Sequence, residues 1–292
     1  MTHTQNGSRA AASKEKKMHN KLTVCLITYN HREYIREAID SVFSQKTTFG
    51  WNLHIYDDHS TDGTSDILRE YQQQYPDKIM LVVQDKNVGA AENWRQLLQS
   101  ASAPYIAYLE GDDYWIDVHK LEKQYAVLEK NLSVGLVYTQ ARQVYLGDFE
   151  TKVIGKSLAR HALYLGNPIP SPTVVYRKIC LDGFFNKLGD RLESWKMGDY
   201  PLWFWISSSW SLVFIEEPMS AYRVLQNSAT RSSDKRAWIQ SKLNIQHYFY
   251  RNNGSLNALP YYLIGVTILQ LELTYHYFRR MRLKITVDKQ NK

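Results

Sequence analysis

Two acidic pairs stand out among the side chains able to do chemistry. One is Asp57-Asp58, opening the run Asp57-Asp58-His59-Ser60-Thr61-Asp62-Gly63-Thr64; the other is Asp112-Asp113, inside Glu110-Gly111-Asp112-Asp113-Tyr114-Trp115. Adjacent carboxylates repel each other unless hydrogen-bond donors or a cation offset the charge. Much of the first run has a plain explanation, because Asp, Ser and Thr cap helices and Asp-Gly is turn chemistry. The Asp57-Asp58 pair is not covered by it, and a carboxylate there suits a base-edge N–H or a ribose hydroxyl. In the second run three carboxylates fall within four residues. A divalent cation takes such oxygen ligands and leaves open positions for water and substrate phosphates; a solvated acidic turn is the competing reading. The aromatic pair that follows suits the face of a sugar or base. A further carboxylate, Asp199, follows Gly198 and precedes Pro201. That pattern opens a helix, and the residues alone read as a helix-capping Asp.

These residues need a frame. LTVCLIT (22–28) is the apolar run of a strand buried on both faces. Ile35, Ala38, Ile39, Val42 and Phe43 then mark one face of a helix ending near Gln45. The cycle repeats with WNLHIYD (51–57), a helix from Thr64 to Tyr75 stopped by Pro76, IMLVVQ (79–84), a helix from Ala90 to Ala101, and YIAYLE (105–110). Such alternation predicts an α/β fold, with a mostly parallel central sheet and helices on both faces. Ligands of such sheets bind at the carboxyl ends of the strands. The loops 29–32, 57–63, 85–89 and 111–117 are therefore the ones that matter.

A helix with Val118, Leu121, Tyr125, Leu128 and Leu132 on its apolar face follows. Beyond it the pattern loosens into short strands at 134–139, 173–177 and 212–215, a stiff Asn167–Pro172 loop, a Trp-rich segment from Gly198 to Trp210, and a helical extension from Asp234 to about Arg282. Trp203, Trp205 and Trp210 are spaced so that some must be core, the others being available to stack on a sugar. The stretch 258–278 is long enough to span a bilayer but holds Gln270, Glu272 and His276, and a charge at a bilayer centre costs about 2.5–3.5 kcal/mol on insertion scales. A helix packed on the domain is the first expectation, and one lying in a membrane interface, with Arg279–Lys284 on anionic head groups, the second.

The net charge of +7 is concentrated at the ends: residues 1–20 carry +3 and residues 279–292 carry +5, leaving −1 for the body. Nucleic acid is thus excluded as an expected partner, since a binder places its basic stripe on a folded face. Residues 1–20 lack an apolar segment of the signal-peptide kind and read as a disordered basic leader. Cys25 lies in an apolar run far from Cys180, as in a reducing compartment.

Taken together, TVCLITYN (23–30), YDDHSTDGT (56–64), NVG (87–89) with Asn93, and YIAYLEGDDYW (105–115) resemble, in order and spacing, the inverting glycosyltransferases of family 2, which have the GT-A fold. The resemblance runs over roughly 22–225. It implies transfer of a sugar from a nucleotide-diphosphate donor, a UDP-sugar first, to an acceptor hydroxyl on a growing glycan or lipid-linked saccharide. The implied metal is Mn²⁺ or Mg²⁺. Position by position, it places Thr28, Tyr29, Asn30, Asp58 and Asn93 at the donor nucleotide, Asp112 by the ribose and donor sugar, and Asp113 on the metal. Glu110 receives no role. Asp199 matches the catalytic base, and Tyr222 and Arg223, in SAYRVLQNSATR (220–231), match a segment that closes over the donor phosphates. Trp115, Pro172 and Thr173 fall on the acceptor side.

The expected organisation is a leader (1–20), a GT-A domain (21–228) whose donor half is 21–117 and acceptor half 118–228, and a C-terminal helical extension with a basic tail (229–292). The expected place is the cytoplasm, peripheral on the inner face of the cytoplasmic membrane, for capsule- or lipopolysaccharide-type assembly. Two rival enzyme classes lack their signatures: a nucleotidyltransferase would show a glycine-rich loop where Thr28-Tyr29-Asn30-His31 stands, and a dinucleotide oxidoreductase a GxGxxG. A non-catalytic nucleotide-sugar or glycan-binding protein of the same fold is the remaining alternative.

Overall fold

The computed structural model describes residues 20–145, 152–159, 161–195, 197–225 and 235–290. The leader, apart from residue 20, the 228/229 boundary and the side chains of the basic run from Arg279 onward lie outside the described residues.

The amino-terminal half alternates strand and helix: β1 (Asn20–Thr28), α1 (Ile35–Phe43), β2 (Gly50–Asp57), α2 (Thr64–Gln74), β3 (Ile79–Val83), α3 (Ala90–Ser100) and β4 (Tyr105–Glu110). It continues with β5 (Tyr114–Trp115), α4 (Lys120–Lys130), β6 (Val134–Tyr145), β7 (Lys152–Ile154) and β8 (Val175–Arg177). Then come α5 (Phe184–Trp195), α6 (Asp199–Ser209), β9 (Ser211–Val224), α7 (Lys235–Asn253) and α8 (Leu259–Gln290). The sheet order is β3-β2-β1-β4-β8-β6-β9-β5, with β7 on β6. Strands β3, β2, β1 and β4 run parallel, β8 is antiparallel to both β4 and β6, and β9 runs parallel to β6 along most of its length.

Both faces of the sheet are covered. Leu22, Val24 and Leu26 of β1, with Leu53, Ile55, Ala107 and Leu109, pack under α1, α2 and α4. Cys25, Ile106 and Tyr108 face the opposite way, into a core shared with α3, α5, α6 and Phe249 of α7. Gln246 of α7, fully buried, donates to the carbonyl of Tyr164 (2.9 Å) and sits 3.2 Å from the Tyr200 hydroxyl, tying the extension to α6.

The second half departs from the sequence expectation: β6 runs on to Tyr145, past the expected 134–139, and β7 and α5 are additions to it. Helix α4 ends at Lys130, so Leu132, at the next position of the apolar repeat, is exposed. Strand β9 is far longer than residues 212–215, and its second half pairs antiparallel with β5.

One buried cation sits between α4 and the sheet. Lys120 is fully buried, donates to Gln124 Oε1 (2.8 Å) and lies 4.5 Å from the centre of the Trp115 ring. Burial pushes its ammonium down to about 7. The unfolded chain keeps that proton to about 10.4, so it binds more protons than the fold between those values and stability rises with pH across that window. Lys120→Met is expected to flatten this rise, so that its urea midpoint changes less than the wild type's between pH 7 and 9.5.

Candidate active site

The four loops singled out in the sequence meet at the carboxyl ends of β1, β2, β3 and β4. Asn30, in the left-handed region at φ 55°, accepts from the Thr61 N–H (2.9 Å), while its own N–H donates to Ser60 Oγ (2.8 Å). Asn tolerates that conformation better than most residues. The Arg32 N–H donates to Asp62 (3.0 Å) and the His31 N–H to Thr64 Oγ1 (3.0 Å), closing the first loop on the second. Asp57 is fully buried and accepts from Ser60 and Ser65, so it braces its own turn. Asp58 reaches across to the third loop, accepting from the Val88 (2.7 Å) and Gly89 (3.0 Å) N–H groups. Burial raises its carboxyl above the ordinary range, and those two N–H groups work against the rise.

The fourth loop carries the acidic cluster. Carboxylate oxygens of Glu110, Asp112 and Asp113 lie within 4.8 Å of one another. Asp113 is buried; its Oδ1 accepts from the Arg223 N–H (2.8 Å), and its Oδ2 has no partner. Burial, then the charges of Asp112 and Glu110, hold its carboxyl well above the usual range. Glu110 accepts from Ser171 (3.2 Å) and Tyr108 (3.3 Å), and burial followed by Asp112 and Asp199 pushes it up to about 8. It thus belongs to the cluster, although the sequence reading gave it no role. Strand alternation carried the signal: Ile106 and Tyr108 face the α6 side, and Glu110 is next in that row. His31 was missed as well; its Nε2 is 3.9 Å from Asp112, and its Nδ1 is 3.2 Å from Thr28 Oγ1.

On the other side stands Asp199, at the start of α6. It accepts from Asn167 Nδ2 (2.9 Å) and from the Tyr200 N–H. Burial raises its carboxyl, against the hydrogen bonds and the positive charge of Lys242 on α7. Gly198 lets the Trp94 ring approach, since a Cβ there would lie 2.9 Å from it.

Several expected site residues are placed differently. Asn93 is fully buried and spends its amide on Tyr56 O (3.2 Å) and Gln84 (3.0 Å), bracing the floor under the third loop. Thr28 is buried beneath Gly111, whereas Tyr29 is exposed. The Arg223 guanidinium donates to the Asp112 carbonyl (2.6 Å), pairs with Glu37, and stacks on Tyr34 and Tyr114. It clasps the acidic turn. Trp115, Pro172 and Thr173, expected against the acceptor, are all buried: the indole N–H donates to Pro172 O (3.0 Å) and the Thr173 hydroxyl to Pro170 O (2.7 Å). Trp203 is core, and the Trp205 indole N–H donates to Cys180 O (2.9 Å).

The family model for glycosyl transferase family 2 matches residues 23–181, more than half of the chain. The chain belongs to this family. An uncharacterized Mycobacterium tuberculosis protein, Rv1520, is 35% identical over 162 residues, covering 54% of this chain and 47% of its own. Bacillus subtilis TuaG, named as a glycosyltransferase of teichuronic acid biosynthesis, is 40% identical over 103 residues, covering 35% of this chain and 40% of its own. The chain spans about half or less of the length of these curated relatives. Among solved structures, a mannosyltransferase from Pyrobaculum calidifontis, in complex with GDP-Man and Mn²⁺, superposes with a TM-score of 0.64 at 15% identity, covering 89% of this chain and 75% of that one. S. aureus TarS 1-349 in complex with UDP-GlcNAc gives 0.63 at 18%, covering 82% and 68%. These likenesses establish the fold, and the chain has the GT-A-like mixed sheet expected of it.

The acidic turn depends on one close approach. A Cβ on Gly111 would lie 2.6 Å from Thr28 Oγ1 and 2.9 Å from His31 Nδ1. Gly111→Ala is therefore expected to weaken nucleotide-diphosphate binding at least about tenfold, roughly 1.4 kcal/mol, by titration calorimetry. Gly189→Ala, whose Cβ meets nothing within 4 Å, serves as the control that leaves binding unchanged.

Proposed function

We propose that the protein transfers a sugar from a nucleotide-diphosphate donor, a UDP-sugar first, to a hydroxyl of a growing glycan or lipid-linked saccharide, with inversion at the anomeric carbon. The observation that carries the reading is the buried, unpartnered Asp113 Oδ2 within the Glu110–Asp112–Asp113 cluster, with a raised carboxyl, Asp199, close enough for its charge to act on Glu110. The oxygen-only donor set and the orphaned oxygen fit a divalent cation, Mn²⁺ or Mg²⁺. When bound, such a cation neutralises charge on the departing diphosphate.

The chain's own residues do the rest. Tyr29 offers an exposed ring to the base, Asp58 and Asp112 hold the nucleoside and donor sugar, and Thr28, Asn30, Asn93 and Arg223 shape the pocket. Asp58 can still accept, because each carboxylate oxygen has a second acceptor site beside the backbone bond it takes. Asp199 takes the acceptor's proton as the oxygen attacks. Its raised affinity for a proton brings it nearer the working pH, where a general base is most effective. The bond to Asn167 fixes the carboxylate plane. Residues 21–228 form the catalytic unit in this reading, and 229–292 the extension. A cytoplasmic place, peripheral on the inner membrane face, is supported by two buried free cysteines and by the apolar stretch Leu256–Tyr277.

Two measurements test this. Asp199→Asn is expected to bind nucleotide diphosphate as the wild type does while losing about 10²–10⁴-fold in transfer, and normal turnover would remove the base assignment. Calorimetry with uridine, guanosine and thymidine diphosphates, with and without Mn²⁺, is expected to show metal-dependent binding of one of them, lost in Asp113→Asn. Binding without turnover in the wild type would favour the non-catalytic binding protein.

A further inference from the structure

Helix α8 is apolar on two opposite sides. Val266, Leu269 and Leu273 pack on Ile239 and Leu243 of α7. Leu263, Ile264, Ile268, Leu271 and Tyr275, each between 42% and 66% exposed, form a stripe on the outer side. At 3.6 residues per turn no charged residue falls within this stripe, and Glu272 lies on its flank. Two threonine hydroxyls on this side are satisfied within the helix: Thr267 donates to Leu263 O (2.8 Å) and Thr274 to Gln270 O (2.9 Å).

Charge identifies the occupant. The same helix continues through Arg279, Arg280, Arg282 and Lys284, and residues 279–292 carry +5 against −1 for residues 21–278. A second copy of this chain has no opposite charge of that size to offer, and an anionic lipid surface does. Spanning is disfavoured, because the inner side of α8 is occupied by α7 and the segment holds Gln270, Glu272 and His276. An apolar stripe running into a basic segment fits a helix lying in the interface.

The stripe also lies beside the acceptor side of the site. Gly265 abuts the turn Ala162–Leu165 so closely that a Cβ would lie 1.7 Å from Tyr164 O. Leu165 is exposed, and two residues on, Asn167 holds Asp199. We infer that the outer stripe of α8 docks the protein on an anionic bilayer and sets the turn leading to the base against the lipid face. The inference deepens the peripheral location proposed above and is independent of the transfer chemistry.

The test uses the full chain and flotation with phosphatidylcholine vesicles, with and without phosphatidylglycerol. Binding is expected only with the anionic lipid, falling at least about tenfold in Ile264→Ser/Ile268→Ser/Leu271→Ser, with thermal melting and nucleotide-diphosphate binding unchanged. Wild-type binding equal on both vesicles, no binding, or full binding by the triple variant overturns it, as does a change in solution mass by light scattering in place of a change in flotation. Fluorophores on Leu165→Cys and Leu271→Cys are expected to be quenched by spin-labelled lipid, and one on Ile179→Cys, beyond the opposite strand ends, is not. Equal quenching at 165 and 179 overturns the orientation. Stripe-dependent flotation by a chain that binds no nucleotide diphosphate would uphold the docking and sink the transferase reading.

Discussion

Mutual repulsion among three carboxylates at the end of β4 is the constraint around which the site is built. Glu110, Asp112 and Asp113 stand close together, and burial followed by the charges of their neighbours drives Glu110 and Asp113 towards their protonated forms. The turn is held by neighbours from distant parts of the chain. Arg223, from the far end of β9, supplies its N–H to Asp113 and its guanidinium to the Asp112 carbonyl. The pairing of β5 with β9 exists to bring that arginine there: Tyr114 pairs with Ala221, two residues before it, and its ring forms one wall of the slot for the guanidinium.

The Asp199 side is positioned by a different set of contacts. Helix α6 is fixed at its start by Gly198 against Trp94, and at its side by Tyr200, whose hydroxyl donates to Leu163 O and meets Gln246. Asn167 links the same helix start to the loop that ends in Ser171, and Ser171 donates to Glu110. Asp199 and the acidic cluster are thus joined through one short loop, stiffened by prolines at 168, 170 and 172, which sets their separation.

The βαβ half was legible because parallel strands buried on both faces read as unbroken apolar runs and their helices carry a clear 3.6 period. The second half was not, for identifiable reasons. Strands β5 and β7 are two and three residues long, too short to show a period. Leu132 continues the apolar spacing of α4, yet the chain leaves the helix at Asn131 and the leucine points to solvent. Around the acidic turn, Asp112 and Asp113 stand out by type and spacing, Glu110 is readable from strand alternation, and Asp199 entered through the family resemblance. Trp115, Pro172 and Thr173 were not readable, because their burial depends on contacts some fifty residues apart.

That last group explains why a residue near a site in sequence need not touch a ligand. The Trp115 indole and the Ser220 hydroxyl both donate to Pro172 O, and Gln124 donates to Thr173 O and Val137 O. Each buried carbonyl would otherwise remain unpaired at a cost of about 1–3 kcal/mol. The network satisfies them while pinning the acidic turn, the proline loop and β9 to one another. Lys120 completes it from below, donating to Gln124 and lying over the Trp115 ring. A large aromatic after an acidic turn invites the reading of a sugar platform. Here the polar groups around it require burial, and the aromatic face left open at these strand ends is that of Tyr29.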